Sequence, residues 1–391
     1  MQIGSVFLAA VIIGIAFAAI AAPAAEQQSL PEVREKMQQF VDQREIAGAV
    51  TLVTNRDRTI YLDACGLADI AANKPMKPET IVWIASMTKP ITGTAVMMLQ
   101  DEGKLNVLNS VSKYIPELSR PKTSDGKIQT VTIRHLLTHT SGMGEIDDTD
   151  GRKCKTLADV IPYYASRPLN FEPGSRWAYC QSGINTAARI VEVVSGQTFP
   201  DFVENRLFKP LGMKDTTFYL SESQFGRLSK SYSRTPAGEL QEATNFILLG
   251  KNPMDRDRFP AANGGLFSTA EDYARFCRMI LNKGTVGGKR YLKPETVEFM
   301  TSVRSGDVQT GFTPGNGWGL GWCVIREPQG VTSALSPGSH GHGGAYGTQA
   351  WIDPVKGVAY ILMVQRSNFP NSDASDVRKA FQQAAADAMH H

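Results

Sequence analysis

A chain of 391 residues, 42% hydrophobic and 20% charged, is long enough to bury a large core as one big domain or two lobes, and has an ordinary globular composition. A net charge of +3 over that length excludes nucleic acid or an anionic membrane surface as an electrostatically selected partner. Neither an internal repeat nor a low-complexity tract is present.

The N-terminal segment differs in kind from the rest. Val6 to Ile20 is almost wholly apolar and small, and Ala22-Pro23-Ala24 offers an A-x-A cleavage site before a polar stretch. Residues 1–24 therefore read as a signal peptide of an exported protein, periplasmic or secreted. An uncleaved N-terminal membrane anchor is the alternative. Pro31 to Arg44 has the charge pattern of a surface helix. The next run, AGAVTLVTNRDRTIYLDACG, contains two β-branched-rich segments around a polar turn at Asn55 to Arg58, which predicts a hairpin.

From Ile81 to Leu105 an apolar run passes into a helix expected over Met87 to Glu102 and stopped by Gly103. Pro90 is tolerated only in a first turn, where an N–H has no partner to lose, so the helix must begin close to Ser86. Ser86 and Lys89 then stand three apart on one face, within reach of each other, beside free N–H groups suited to a developing oxyanion. The same S-x-x-K spacing occurs at Ser110/Lys113, Ser119/Lys122 and Ser124/Lys127. Those pairs lie in a charged, proline-bearing stretch, whereas Ser86 alone has a buried-strand-like run before it and a long helix after it.

From about Leu105 to Asn282 the pattern is of helices joined by long irregular segments. VTIRHLLTHTSGM predicts a short helix ending at Ser141-Gly142, and INTAARIVEVVSG an amphipathic one with Gly196 just past its end. STAEDYARFCRMILNKG predicts another, capped by Ser268 or Thr269, with Glu271 in its first turn. Tyr179, just ahead of a helix after a Pro-Gly turn, is placed to hold a proton for a lysine, although on pattern alone such a tyrosine is more often a packing aromatic. Ser221 to Ala262 reads as a long polar loop, functional or mobile. GTQAWIDP and GVAYILMVQ predict a second hairpin around Pro354 to Gly357, followed by a helix from about Ser372. Strands at both ends with helices between them imply a sheet that carries a helical insertion, with a cleft between the two.

Five cysteines, Cys65, Cys154, Cys180, Cys277 and Cys323, are widely spread without a C-x-x-C pair, and read mostly as small core fillers. His135 and His139, with His340 and His342 downstream, offer a rival zinc reading. No acidic neighbour is placed as in H-E-x-x-H, so helix packing and turn capping account for the pair more simply. No G-x-S-x-G, P-loop or G-x-G-x-x-G is present, and no metal or cofactor is expected.

Ser86-Met87-Thr88-Lys89, Tyr179-Cys180-Gln181 and His342-Gly343-Gly344 fall in the order and rough spacing of the three active-site motifs of penicillin-recognising serine hydrolases. The phrases IRHLLTHTSGM, GGLFSTAEDYARF and GHGGAYGTQAWIDP resemble the branch containing class C β-lactamases, D-amino-acid-type peptidases and β-lactamase-like carboxylesterases. The likeness runs from about residue 32 to 385. It implies an α/β (α+β) fold: a central antiparallel sheet flanked by helices, built from about 25–85 and 283–391, and a mainly helical lobe over about 86–282. It further implies Ser86 as acyl-forming nucleophile, Lys89 and Tyr179 sharing acid–base work, and Ala345, on an edge strand, supplying an oxyanion N–H beside that of Ser86. Gln181, His342, Gly343 and Gly344 would line the substrate site.

Two positions depart from the family pattern. Gln181 stands where Asn is usual and His342 where β-lactamases carry a Lys that attracts a substrate carboxylate. Both departures favour a small ester or amide over an anionic β-lactam, with β-lactamase or D-Ala-D-Ala carboxypeptidase activity as the alternative. A non-catalytic binder of cell-wall peptides is a third class, which would not need Ser86, Lys89 and Tyr179 together.

Overall fold

The computed structural model describes residues 28–311 and 313–389; the expected signal peptide lies outside the described residues. The first hairpin forms as its sequence predicts. Strands β1 (Gly48–Thr54) and β2 (Thr59–Asp69) pair antiparallel across a turn in which Asn55 Oδ1 accepts the N–H groups of Asp57 and Arg58, at 2.9 and 2.8 Å. β3 (Lys74–Pro75) continues the edge. The C-terminal segment supplies β4 (Asn316–Trp318), β5 (Cys323–Ile325), β6 (His340–Gly343), β7 (Gln349–Asp353) and β8 (Val358–Met363). β8 pairs with β1, which closes one eight-stranded sheet of order β4-β5-β6-β7-β8-β1-β2-β3, antiparallel throughout.

Every residue of β1 and β8 is buried. Strands covered on both faces need apolar side chains on both, so these two read as continuous apolar runs without alternation. On one face lie α1 (Pro31–Asp42) and the C-terminal helix, which pack on each other. α1 presents Val33 and Met37, one turn apart, as its buried contacts. The opposite face carries the helical layer of α2 (Thr88–Asp101), α3 (Ile133–Leu137) and α4 (Gln181–Ser195), in which α4 touches both α2 and α3. Among the described residues no helix is long and apolar enough to cross a membrane.

Several expectations shift. α5 (Ala270–Leu281), which the boundary near 282 assigned to the helical insertion, packs on β1 and β8 and so covers the sheet. Its cap is Thr269, whose hydroxyl accepts the Asp272 N–H at 3.2 Å. The C-terminal helix α6 (Asp376–Ala388) starts four residues later than expected, because Ser372–Ala374 is a separate 3-10 turn and Ser375 is the cap. Ser221 to Ala262 is not one structureless loop: Tyr232–Arg234 and Leu240–Glu242 pair with each other, and the former also with Arg366–Ser367. The five cysteines are buried and unpaired.

Candidate active site

Ser86 sits in a one-turn 3-10 helix, Ala85–Met87, that leads directly into α2. The preceding Ala85 has φ +47°, a left-handed conformation that strains an L-residue and turns the chain sharply from strand to helix. α2 is buried over twelve consecutive residues, Thr88 to Leu99, so it is a core helix and not an amphipathic one. Pro90 falls in its first turn, as the sequence required.

Burial of this helix carries Lys89 with it. The side chain is wholly inaccessible to solvent, and its Nζ donates to Ser86 Oγ at 3.1 Å, Gln181 Oε1 at 2.8 Å and the Asn263 carbonyl at 2.7 Å. Three acceptors satisfy the amine, yet removal from water lowers its pKa to about 7; the Glu145 carboxylate acts in the opposite direction. Nζ also lies 4.5 Å from the centre of the Tyr179 ring. The Tyr179 hydroxyl is 3.4 Å from His342 Nε2. Burial raises the tyrosine well above its usual pKa, while a hydrogen bond with Ser86 pulls the other way.

His342 is buried and held near pKa 3 by desolvation, with the neighbouring Lys89 adding to the effect. It is therefore a neutral imidazole. Its Nδ1 lies 2.6 Å from the Gly343 carbonyl, a partner that only an N–H can satisfy, so the proton is assigned to Nδ1 and Nε2 is left to accept from Tyr179. The two glycines after it are required by space. A Cβ at Gly344 would lie 2.0 Å from Thr348 Oγ1 and 2.7 Å from the Ile84 carbonyl; one at Gly343 would lie 2.1 Å from Asp373 Oδ1. The end of β6 can thus press against the turn that carries Ser86.

Ser86, Tyr179, Gln181, His342, Gly343, Gly344 and Ala345 line one cleft of about 430 Å³. Lys89 stands beneath its floor. β6 is the third strand of its sheet, with β5 on one side and β7 on the other, so the expected edge-strand setting of Ala345 is not what forms. Ala345 reaches the cleft because the strand stops at Gly343.

Two residues of this network carried no sequence signal strong enough to select them. Asn263 gives its carbonyl to Lys89 and donates Nδ2 to Gln181 Oε1 at 2.9 Å. Glu145 caps the start of α4, accepting the N–H groups of Gln181 and Ser182 at 2.5 and 3.0 Å. Cys180 completes that cap, its Sγ accepting from Gly183 N–H at 3.3 Å. The histidines of the zinc reading are separately employed. His135 forms a capping box with Thr132, His139 Nδ1 accepts the Cys180 N–H at 3.0 Å, and His340 packs edge-on to Trp322.

A family model described as Beta-lactamase matches residues 33–385. The Mycobacterium tuberculosis protein Rv1367c is 32% identical over 84% of this chain and 88% of its own length. Esterase EstB of Burkholderia gladioli is 29% identical, over 83% of this chain and 87% of its own. Among solved structures, EstCE1, a hydrolase with promiscuous acyltransferase activity, superposes with a TM-score of 0.77 at 25% identity and covers 91% of this chain and 97% of its own.

Proposed function

The chain belongs to the β-lactamase family, and from that premise we propose that it is a serine hydrolase acting through an acyl-enzyme on Ser86, with small esters or amides as substrates. The observation that carries this reading is the 3.1 Å contact between Ser86 Oγ and an amine whose pKa burial has lowered to about 7. At neutral pH roughly half of such an amine is unprotonated and competent as a base. Lys89 takes the hydroxyl proton as Oγ adds to the substrate carbonyl, and the backbone N–H groups of Ser86 and Ala345 receive the oxyanion. Tyr179, kept as a neutral phenol, gives its proton to the departing oxygen or nitrogen, and the proton that Lys89 took from Ser86 is returned to the tyrosine oxygen, so both groups end the step as they began. Water then repeats the sequence on the acyl-enzyme.

Substrate class rests on the cleft. Its apolar walls are Trp83, Phe246, Ile247 and Phe369, and among the described residues no lysine or arginine lines it. A β-lactam or a C-terminal peptide brings a carboxylate that finds no cation there. The esterase and hydrolase named among the relatives point in the same direction. We place the activity outside the cytoplasm, on the strength of residues 1–24.

Labelling with a fluorophosphonate, with the Ser86→Ala protein as control, tests the nucleophile. Side-by-side rates on p-nitrophenyl esters, nitrocefin and D-Ala-D-Ala peptides test the class. Labelling that persists in Ser86→Ala sinks the first part; a preference for nitrocefin or the peptide sinks the second.

A further inference from the structure

Asp373 lies outside all three motifs, in the 3-10 turn that precedes the C-terminal helix, and it lines the same cleft as Ser86. Among the described residues lining that cleft it is the one carboxyl group, none is a lysine or arginine, and His342 there is neutral. It is 8% exposed, and its position is tightly defined: Oδ1 occupies the space that a side chain at Gly343 would fill. Arg378, the nearby cation, is entirely buried, stacks 4.0 Å from the centre of the Trp351 ring, and bonds through Nη1 to the Asp373 carbonyl. Burial raises the carboxyl's pKa toward the neutral form, while the Arg378 guanidinium and a hydrogen bond with Gln349 act in the opposite direction.

We propose that Asp373 sets the charge class of the substrate, favouring esters with an ammonium group at the rim formed by residues 369–373 over esters that carry a carboxylate there. Phe369, on the same rim, has the Arg366 guanidinium, itself paired with Glu45, stacked 4.1 Å from its ring centre, so the attraction for an ammonium group rests on Asp373. The inference rests on the hydrolase reading and deepens it. Like charges about 7 Å apart, at an effective dielectric constant of about 20, shift an equilibrium about ten- to fiftyfold.

The test uses three acetate esters of similar shape: the choline ester, its neutral 3,3-dimethylbutyl isostere, and an ester whose alcohol ends in a carboxylate. Calorimetric binding to the Ser86→Ala protein needs no turnover. The choline ester should bind about tenfold tighter than the neutral isostere, and the anionic ester about tenfold weaker. Asp373→Asn, introduced into the same protein, should bring the three dissociation constants within about twofold of one another, a change that general loosening of the cleft would not produce. Equal affinities in the Ser86→Ala protein, or a preference that survives Asp373→Asn, overturn the proposal. Absence of turnover by the unaltered protein, with the charge preference intact, would instead count against the hydrolase reading alone.

Discussion

At the scale of single residues, the site is a set of hydrogen-bonding groups whose protonation states burial has chosen. Lys89 is brought to about pKa 7 by desolvation and must lose its proton to act as a base. kcat/KM should therefore rise about tenfold per pH unit on the acid side, level off above about pH 7, and show no inflection from His342, which titrates near 3. A bell with an acid limb near pH 4 would remove Lys89 from the role of base. Tyr179→Phe should lower kcat by about two to four orders of magnitude and leave KM within about threefold, because the ring remains and only the proton carrier goes. An effect confined to KM would make the tyrosine a substrate contact. Gln181, which the motif pattern suggested as a substrate contact, is committed through Oε1 to Lys89 and Asn263. That commitment could not be read from the motif, since it depends on Asn263, 82 residues away.

At the scale of elements, two helix starts and one strand end meet. α2 brings Ser86 and Lys89, α4 brings Gln181 at its first position, and β6 ends where Gly344 touches the Ser86 turn. Glu145, bonded to the first two N–H groups of α4, also raises the Lys89 pKa. Glu145→Gln removes a negative charge that favours protonated lysine, so the acid limb of the rate profile should move to lower pH. A move to higher pH, or none, would mean that the cap and the amine are not coupled. Gly344→Ala must push Thr348 and the Ile84 carbonyl apart, at a cost of about 1–3 kcal/mol. Gly196→Ala, at a left-handed cap facing open space, should cost about 1 kcal/mol and leave activity unchanged. Urea denaturation of both variants checks the order, and reversal of it would contradict the close packing of β6 against Ser86.

At the scale of the whole molecule, the cleft lies between a sheet built from the two ends of the described chain and the helices inserted between them. Among the described residues its lining lacks lysine and arginine, and its apolar walls come from three distant segments. Short-chain esters should therefore exceed nitrocefin in kcat/KM by about a hundredfold or more, equivalent to roughly 2.7 kcal/mol of transition-state binding. Comparable efficiency on nitrocefin would place the enzyme with the β-lactamases of its family.

The local elements were legible because each has a local cause. Asn55 makes a turn with its own neighbours, Pro90 permits only a first-turn position, and Gly196 accepts the left-handed φ of +70° that ends α4. Context along the chain favoured Ser86 and Lys89, whereas Tyr179 was picked out only by the resemblance of three ordered motifs to those of a known family. What the sequence left open depends on groups distant in the chain. The tautomer of His342 follows from a carbonyl and a hydroxyl 163 residues apart from it in the latter case, and the pKa of Lys89 from the packing of an entire helix. The role of Glu145, the service of Asn263 and the placement of Asp373 against Gly343 exist only once the layers have closed. Hydrogen bonds and burial act over a few ångströms, and only the tertiary structure decides which residues come that close.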